Sequence, residues 1–154
     1  MEEEISRLSK IIRNGSKLYV TKEIDLSLYT DNCGDILQMM EDSNLNLWVL
    51  TSNNLFVISP NDYSAVFCEP LNKRNITHLC VDTHREIWGI STSNQVFSLR
   101  YSDKKIVATR KVICFTSEQE DTPKLSCVDY DDCMWIVSSL GYVYRSTPAK
   151  DKFD

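Results

Sequence analysis

Short hydrophobic runs separated by polar turns recur along most of the chain. Three of these runs place a tryptophan between apolar neighbours, in the segments LWVL, IWGI and MWIV. Continuous apolar runs of this length are typical of strands that are buried on both faces. The pattern therefore predicts an all-β protein built from short antiparallel strands.

The tryptophan segments are copies of one repeated unit. The chain has three tryptophans, and each follows an aspartate by six positions, in the pairs Asp42 and Trp48, Asp82 and Trp88, Asp129 and Trp135. The tryptophans are spaced 40 and 47 residues apart (88 − 48 and 135 − 88), and such periods are typical of β-propeller blades. We expect each aspartate to accept hydrogen bonds from turn amides, and each tryptophan to lie in a central strand.

The predicted fold is a β-propeller-like array of about three to four antiparallel blades, and the array is incomplete. We assign residues 16–154 to the blades, with a partial blade at 16–30 and further blades at 35–71, 75–115 and 125–146. About thirteen strands are predicted, whereas the smallest usual propeller has four blades of four strands. Three explanations stay open: the chain is part of a longer polypeptide, it pairs with a second copy or another subunit, or it closes a small irregular ring alone.

Residues 1–15 are predicted to form a helical or irregular segment. Ile5, Leu8 and Ile12 share one helical face, and Gly15 suits a helix C-terminus. The alternative is that residues 9–13 form a strand of an incomplete first blade. Residues 17–21 and 23–29 alternate well, and we expect them to pair as a hairpin.

The repeated unit resembles a known family. Residues 76–97 have the form I-x-x-L-x-V-D-x-x-x-x-I-W-G-I-S-x-x-x-x-V-F, which is similar to the tectonin-type β-propeller repeat. The resemblance covers residues 36–145, and the Trp-Asp dipeptide of WD40 blades is absent. It implies a non-catalytic scaffold that binds other proteins, in intracellular membrane trafficking or autophagy.

Composition and charge narrow the class of protein. With 154 residues, 42% hydrophobic and 25% charged, the chain is typical of one globular domain. A net charge of −5 argues against binding to nucleic acid, and no apolar run approaches the ~20 residues needed for membrane insertion. No secretory signal begins the sequence, so its six cysteines are expected to be reduced thiols in the cytoplasm.

The sequence offers little catalytic or metal-binding chemistry. His78 and His84 are the only histidines, and we expect packed or turn positions for both. Asp129, Asp131 and Asp132 form the densest acidic cluster, but calcium needs more oxygen ligands and a glycine at the bend. The cysteines lack zinc-site spacing, and no nucleophile elbow or phosphate-binding glycine loop is present. We therefore expect no catalytic residue, no cofactor and no metal, and we do not expect an enzyme.

The loop after the first strand of each blade is the candidate partner-binding surface, because propeller loops project from a rigid frame. The candidate residues are Asp42, Asn44, Asn46, Thr83, His84, Arg85, Tyr130, Asp131 and Asp132. The alternative function is a ligand-binding, lectin-like propeller, whose sites should repeat from blade to blade. The turns SNLN, THRE and YDDC differ from one another, which favours the protein-binding scaffold.

Overall fold

The computed structural model describes residues 7–61, 63, 65–116 and 120–154. In this part of the chain, thirteen strands form four antiparallel sheets, joined in places by single turns of 3-10 helix. The all-β prediction and the incomplete propeller-like array of blades are therefore confirmed. The six N-terminal residues, including Ile5 of the proposed helix, lie outside the described residues.

The strands follow one another in simple order within each sheet. The N-terminal hairpin consists of β1 (Arg7–Asn14) and β2 (Lys17–Asp25). Blade 1 consists of β3 (Ile36–Glu41), β4 (Leu47–Thr51), β5 (Asn54–Ile58) and β6 (Val66–Pro70). Blade 2 consists of β7 (Ile76–Val81), β8 (Ile87–Ser91), β9 (Gln95–Ser102) and β10 (Lys105–Ile113). Blade 3 consists of β11 (Pro123–Val128), β12 (Met134–Ser138) and β13 (Val143–Arg145). The 3-10 turns are Leu26–Leu28 and Leu71–Lys73.

The prediction of an N-terminal helix is wrong, because residues 7–14 form β1 and pair with β2. Gly15 adopts φ +63 in the turn between them, which glycine does without steric cost. Leu8 and Ile24 lie opposite each other and pack on blade 1, where Phe56 is fully buried. Strand pairing buries these side chains, which an isolated short helix would leave exposed. The expected hairpin between residues 17–21 and 23–29 is also wrong, since β2 is one continuous strand.

Successive blades pack face to face and bury their tryptophans. Trp48 of blade 1 packs against Leu79 and Ile87 of blade 2, and Trp88 of blade 2 packs against Met134 of blade 3. These side chains are at most 1% exposed. Each large apolar side chain buried in this way contributes about 1.5–3 kcal/mol. The blades therefore depend on one another for a dry core.

The centre of blade 2 is packed closely around a glycine. A Cβ added at Gly89 would lie 2.9 Å from Cδ1 of Ile76 and 2.9 Å from Cδ1 of Leu99. Both contacts are shorter than van der Waals distance, and both partners are buried. Blade 1 has Val49 at the equivalent position, so the glycine is specific to the packing of blade 2.

The polar C-terminal segment returns along β13 as a minimal fourth strand of blade 3. Ser146 and Phe153 form an antiparallel bridge. The amide of Arg145 donates to the carbonyl of Asp154 at 2.9 Å, and the amide of Asp154 donates back at 3.0 Å. The segment between them brings Lys150 into the interior, where it is 2% exposed.

Candidate interaction surface

In blade 1, one aspartate organises the loop between the first two strands. Asp42 Oδ1 accepts hydrogen bonds from the amides of Asn44 (2.8 Å) and Asn46 (2.9 Å), and its Oδ2 accepts from Trp48 Nε1 at 2.8 Å. The Asn46 side chain also donates to Asp42 Oδ2 at 3.0 Å. The sharp bend is completed by Leu45, at φ 65. The expected turn amides are confirmed, and the carboxylate additionally satisfies the buried indole.

Blade 2 repeats the two amide hydrogen bonds and the indole hydrogen bond of this arrangement. Asp82 Oδ1 accepts from the amides of His84 and Glu86, both at 2.9 Å, and Oδ2 accepts from Trp88 Nε1 at 3.0 Å. Arg85 occupies the positive-φ position, at φ 62. Buried indole donors need a partner, and here the same carboxylate that folds the loop supplies one.

Blade 3 carries the third copy. Asp129 Oδ1 accepts from the amides of Asp131 and Cys133, both at 3.0 Å, and Oδ2 accepts from Trp135 Nε1 at 2.7 Å. The hydrogen bond from the indole is the largest of the interactions that lower the pKa of Asp129. Asp132 holds the positive-φ position, at φ 64. We call this unit, an aspartate bound to two loop amides and one indole, the Asp–Trp clasp.

The three loops lie side by side at one end of the array and contact each other directly. The amide of Ser43 donates to the carbonyl of Arg85 at 3.1 Å, which joins the loops of blades 1 and 2. The guanidinium of Arg85 also forms an ion pair with Glu41. The amide of Thr83 donates to Asp132 Oδ1 at 2.9 Å, which joins the loops of blades 2 and 3. The loop end is therefore one continuous surface.

A buried lysine connects the second and third loops from below. Lys150 Nζ lies 3.0 Å from Asp132 Oδ2 and 3.6 Å from Asp82 Oδ2, and it donates to the carbonyl of Pro148 at 3.2 Å. Burial by itself raises the pKa of Asp132, but hydrogen bonds from Thr83 and Lys150 outweigh it and lower this pKa to about 2. The lysine thus ties the C-terminal segment to two blades at once.

The residues around Lys150 include the side-chain types that bind metal ions, but the ammonium of Lys150 already pairs with their carboxylates. Ligand atoms of Asp82, His84 and Asp132 lie within 4.8 Å of one another. The ammonium of Lys150 already contacts both carboxylates and supplies the positive charge that a cation would bring. A metal ion would have to displace this buried ammonium, so the geometry is that of an ion-pair network.

The partner-binding candidates predicted from the sequence fall into two groups: buried residues that hold the loops in shape, which we call the frame, and exposed residues that a partner could contact, which we call the surface. Asp42 and Asn46 are buried and bonded within their loop, and Asp132 is partly buried in the lysine network. The exposed candidates are Asn44, Thr83, His84, Arg85, Tyr130 and Asp131. Tyr130 is fully exposed, and Leu45, which sequence reasoning did not select, is 51% exposed. Leu45 lies three residues before Trp48 in the repeated unit, and this spacing could have indicated that it is at the tip of the loop.

His78 lies elsewhere, in a groove of about 300 Å³ along the first strands of the blades. Gln38, Thr77, Lys124 and Ser126 also line this groove. Burial is the main cause of the lowered pKa of His78, which favours the neutral imidazole. The groove is separate from the loop surface.

Comparison with known proteins supports the architecture. No protein-family model and no curated protein sequence matches this chain. Among solved structures, virginiamycin B lyase from Staphylococcus aureus aligns over 77% of this chain and 40% of its own, with 14% identity and a TM-score of 0.55. A streptogramin B lyase aligns over 95% and 53%, with 12% identity and a TM-score of 0.61. The extracellular domain of a one component system from B. thetaiotaomicron aligns over 94% and 23%, with 14% identity and a TM-score of 0.59.

These likenesses concern the fold, which is that of a β-propeller domain, and they do not single out the tectonin type. The chain spans about half or less of the length of each of these structures. The expectation that the chain is not an enzyme is overturned, because the lyases are enzymes with the same fold. In the described residues, no helix is long and apolar enough to cross a membrane.

Proposed function

We propose that this chain is a propeller interaction module whose loop end binds another protein. The observation that carries the proposal is that, in each of the three loops, the residues that hold the loop in shape are different from the residues that are exposed at its tip. The Asp–Trp clasp is the same in every blade, whereas the exposed side chains at the tips differ. A rigid frame that presents non-repeating side chains suits recognition of one irregular protein surface.

The exposed side chains have the chemistry of a protein interface. Tyr130, Leu45 and Arg85 project from adjacent loops, and aromatic residues and arginine are enriched among residues that dominate binding energy. Because the loops are joined to each other by hydrogen bonds, binding would immobilise little of the chain. Asp131, with a side chain 82% exposed, adds an acidic position at the rim.

A lectin-like propeller is less well supported. Repeated sugar sites would require the same polar and aromatic side chains at one position of each loop. Asn44, His84 and Asp131 occupy that position in the three loops, and they share neither charge nor shape.

The resemblance of the repeat to tectonin-type proteins supports a role in the cytoplasm, in membrane trafficking or autophagy, reached through protein partners. The six cysteines are free thiols, which accords with a reducing compartment. These assignments belong to the proposal and depend on the partner that is found.

The test compares two exposed tyrosines at opposite ends of blade 3. Tyr130 lies in the loop before β12, and Tyr142, 60% exposed, lies in the turn after it. Proteins captured by the wild type are identified by quantitative mass spectrometry, and the binding of each purified candidate is measured by calorimetry. We expect a partner whose affinity falls about 10-fold or more with Tyr130→Ala and is unchanged with Tyr142→Ala. The proposal fails if no captured protein depends on the loop residues, and a loop-dependent signal on a glycan array would establish the lectin-like function instead.

A further inference from the structure

The blades are arranged with one polarity. Blade 1 turns the face that carries Trp48 towards blade 2, and blade 2 turns the face that carries Trp88 towards blade 3. The N-terminal hairpin turns Leu8 and Ile24 towards blade 1. Every sheet therefore has one face for the sheet after it and one face for the sheet before it. Among the residues that the structure describes, none covers such a face at either end of the array.

The uncovered face of blade 3 is largely apolar, with the guanidinium of Arg145 lying over the ring of Trp135. We call it the Trp135 face. Register places Leu125, Cys127, Val137, Val143 and Arg145 beside Trp135 on it. Leu125 is 62% exposed and Val143 is 56% exposed, whereas Leu55 and Val96, which are the equivalents of Val143 in blades 1 and 2, are buried in the contact with the next blade. Contiguous exposed apolar side chains of this kind mark interaction sites.

The uncovered face at the other end belongs to the N-terminal hairpin. Alternation along β1 and β2 turns Ile11, Leu18 and Val20 away from blade 1, and these side chains are 54%, 68% and 58% exposed. In the polarity of the array, this outward hairpin face is the one that would receive a tryptophan-bearing face. Its apolar centre is therefore complementary in position to the Trp135 face.

The charges of the two ends are also complementary. Residues 7–25 contain five basic and two acidic residues, and residues 120–154 contain four basic and seven acidic residues. Opposite net charge favours the approach of these two ends of the array and disfavours the approach of two copies of the same end.

We propose that the Trp135 face of one copy docks on the outward hairpin face of a second copy, and that two such contacts close a ring with two-fold symmetry. Each copy contributes four sheets, so the ring has eight, within the range of known propellers. The length agrees, because one chain spans 40% to 53% of the lyase chains with this fold. This inference does not rest on the proposed function of the loops.

The test is the mass in solution, measured by light scattering over two decades of protein concentration. We expect the wild type to have twice the chain mass of 17.8 kDa. Val143→Glu on the Trp135 face and Leu18→Glu on the hairpin face should each give monomers. Leu28→Glu is the matched control, because Leu28 is 79% exposed and lies on neither face. All variants are first shown to have the circular dichroism spectrum of the wild type and a cooperative unfolding transition; the monomers should unfold at a lower midpoint, because they lack the stabilisation that association gives the dimer.

Mixing the two variants separates this arrangement from others. A mixture of Val143→Glu and Leu18→Glu keeps one intact contact per pair, so we expect heterodimers that are weaker than the wild-type dimer. If the Trp135 faces instead paired with each other, Leu18→Glu would remain dimeric and the proposal would be wrong. A wild type that is monomeric throughout the concentration range, or a Leu28→Glu variant that is monomeric as well, would also overturn it.

Discussion

Replacing Lys150 by methionine removes the ammonium that joins blades 2 and 3 while keeping most of the volume of the side chain. The ammonium lies 3.0 Å from Asp132 and 3.6 Å from Asp82, and the lysine side chain is 2% exposed. The loss of this cation leaves two carboxylates close together without their counter-charge. We expect Lys150→Met to fold and to be clearly less stable.

The magnitude follows from the partners that remain. Breaking a buried ion pair costs about 3–5 kcal/mol, because the charge left behind is uncompensated. Asp82 keeps the hydrogen bonds of its clasp, and the side chain of Asp132 is 17% exposed and keeps the amide of Thr83. We therefore place the loss of unfolding free energy at the lower end, about 3 kcal/mol.

The assay is urea unfolding followed by tryptophan fluorescence. With an m-value of about 2 kcal/mol/M, a loss of about 3 kcal/mol lowers the midpoint by roughly 1.5 M. Lys152→Met is the matched control, since Lys152 is exposed and two residues away, and its effect should be within about 0.5 kcal/mol. Adding Asp132→Asn to Lys150→Met should restore part of the loss. Equal midpoints for Lys150→Met and wild type would refute the reasoning.

Further predictions concern packing, pH and thiol reactivity. Gly89→Val should lower the unfolding free energy by about 2 kcal/mol or more through overpacking in blade 2, with Gly89→Ala intermediate, as measured by urea midpoints. The lowered pKa of Asp132, from 3.8 to about 2, should contribute stability that is complete above pH 4 and lost as the pH falls through 2, visible as a gap between wild type and Asp132→Asn that closes in acid. In the Val143→Glu variant, whose Trp135 face is left free, exposed Cys127 should react with iodoacetamide at pH 8 before Cys80, whose pKa burial raises to about 11, as read by peptide mass spectrometry.

Each of these has a contradicting result. Urea midpoints for Gly89→Val that equal those of the wild type would show that blade 2 has room for a side chain. An acid limb that is identical in wild type and Asp132→Asn would remove the pH argument. Equal alkylation rates for Cys127 and Cys80 would contradict the burial of the second blade.

The blades could be predicted from sequence because their determinants are local and repeated. The apolar run around Trp88 and the aspartate six residues earlier define a strand and a turn without knowledge of distant residues. The secondary structure of the N-terminal segment could not be predicted. Leu8 and Ile12 are four residues apart, and this spacing places them on one face of a helix and equally on one face of a strand. Packing on blade 1 decides between them.

The burial of Lys150 and its ion pairs could not be predicted from the sequence either. Its partner Asp82 is 68 residues away, and its polar neighbours in TPAKDKFD gave no reason to expect burial. The hydrogen bond from each tryptophan to its aspartate could have been inferred, because the six-residue spacing is the same in every copy. Long-range ion pairs carry no such periodic signal.

The Asp–Trp clasp holds each loop without using the side chains at its tip, at residues 43–45, 83–85 and 130–131, whereas Asp132 is held by Lys150 and by the amide of Thr83. In blade 1, for example, the loop is held by a carboxylate, two amides and an indole, and none of the three tip side chains takes part. Such loops can be randomised as a library while the sheets beneath them stay intact. The molecule is in this sense a natural display scaffold, with three short variable segments held close together on a constant base.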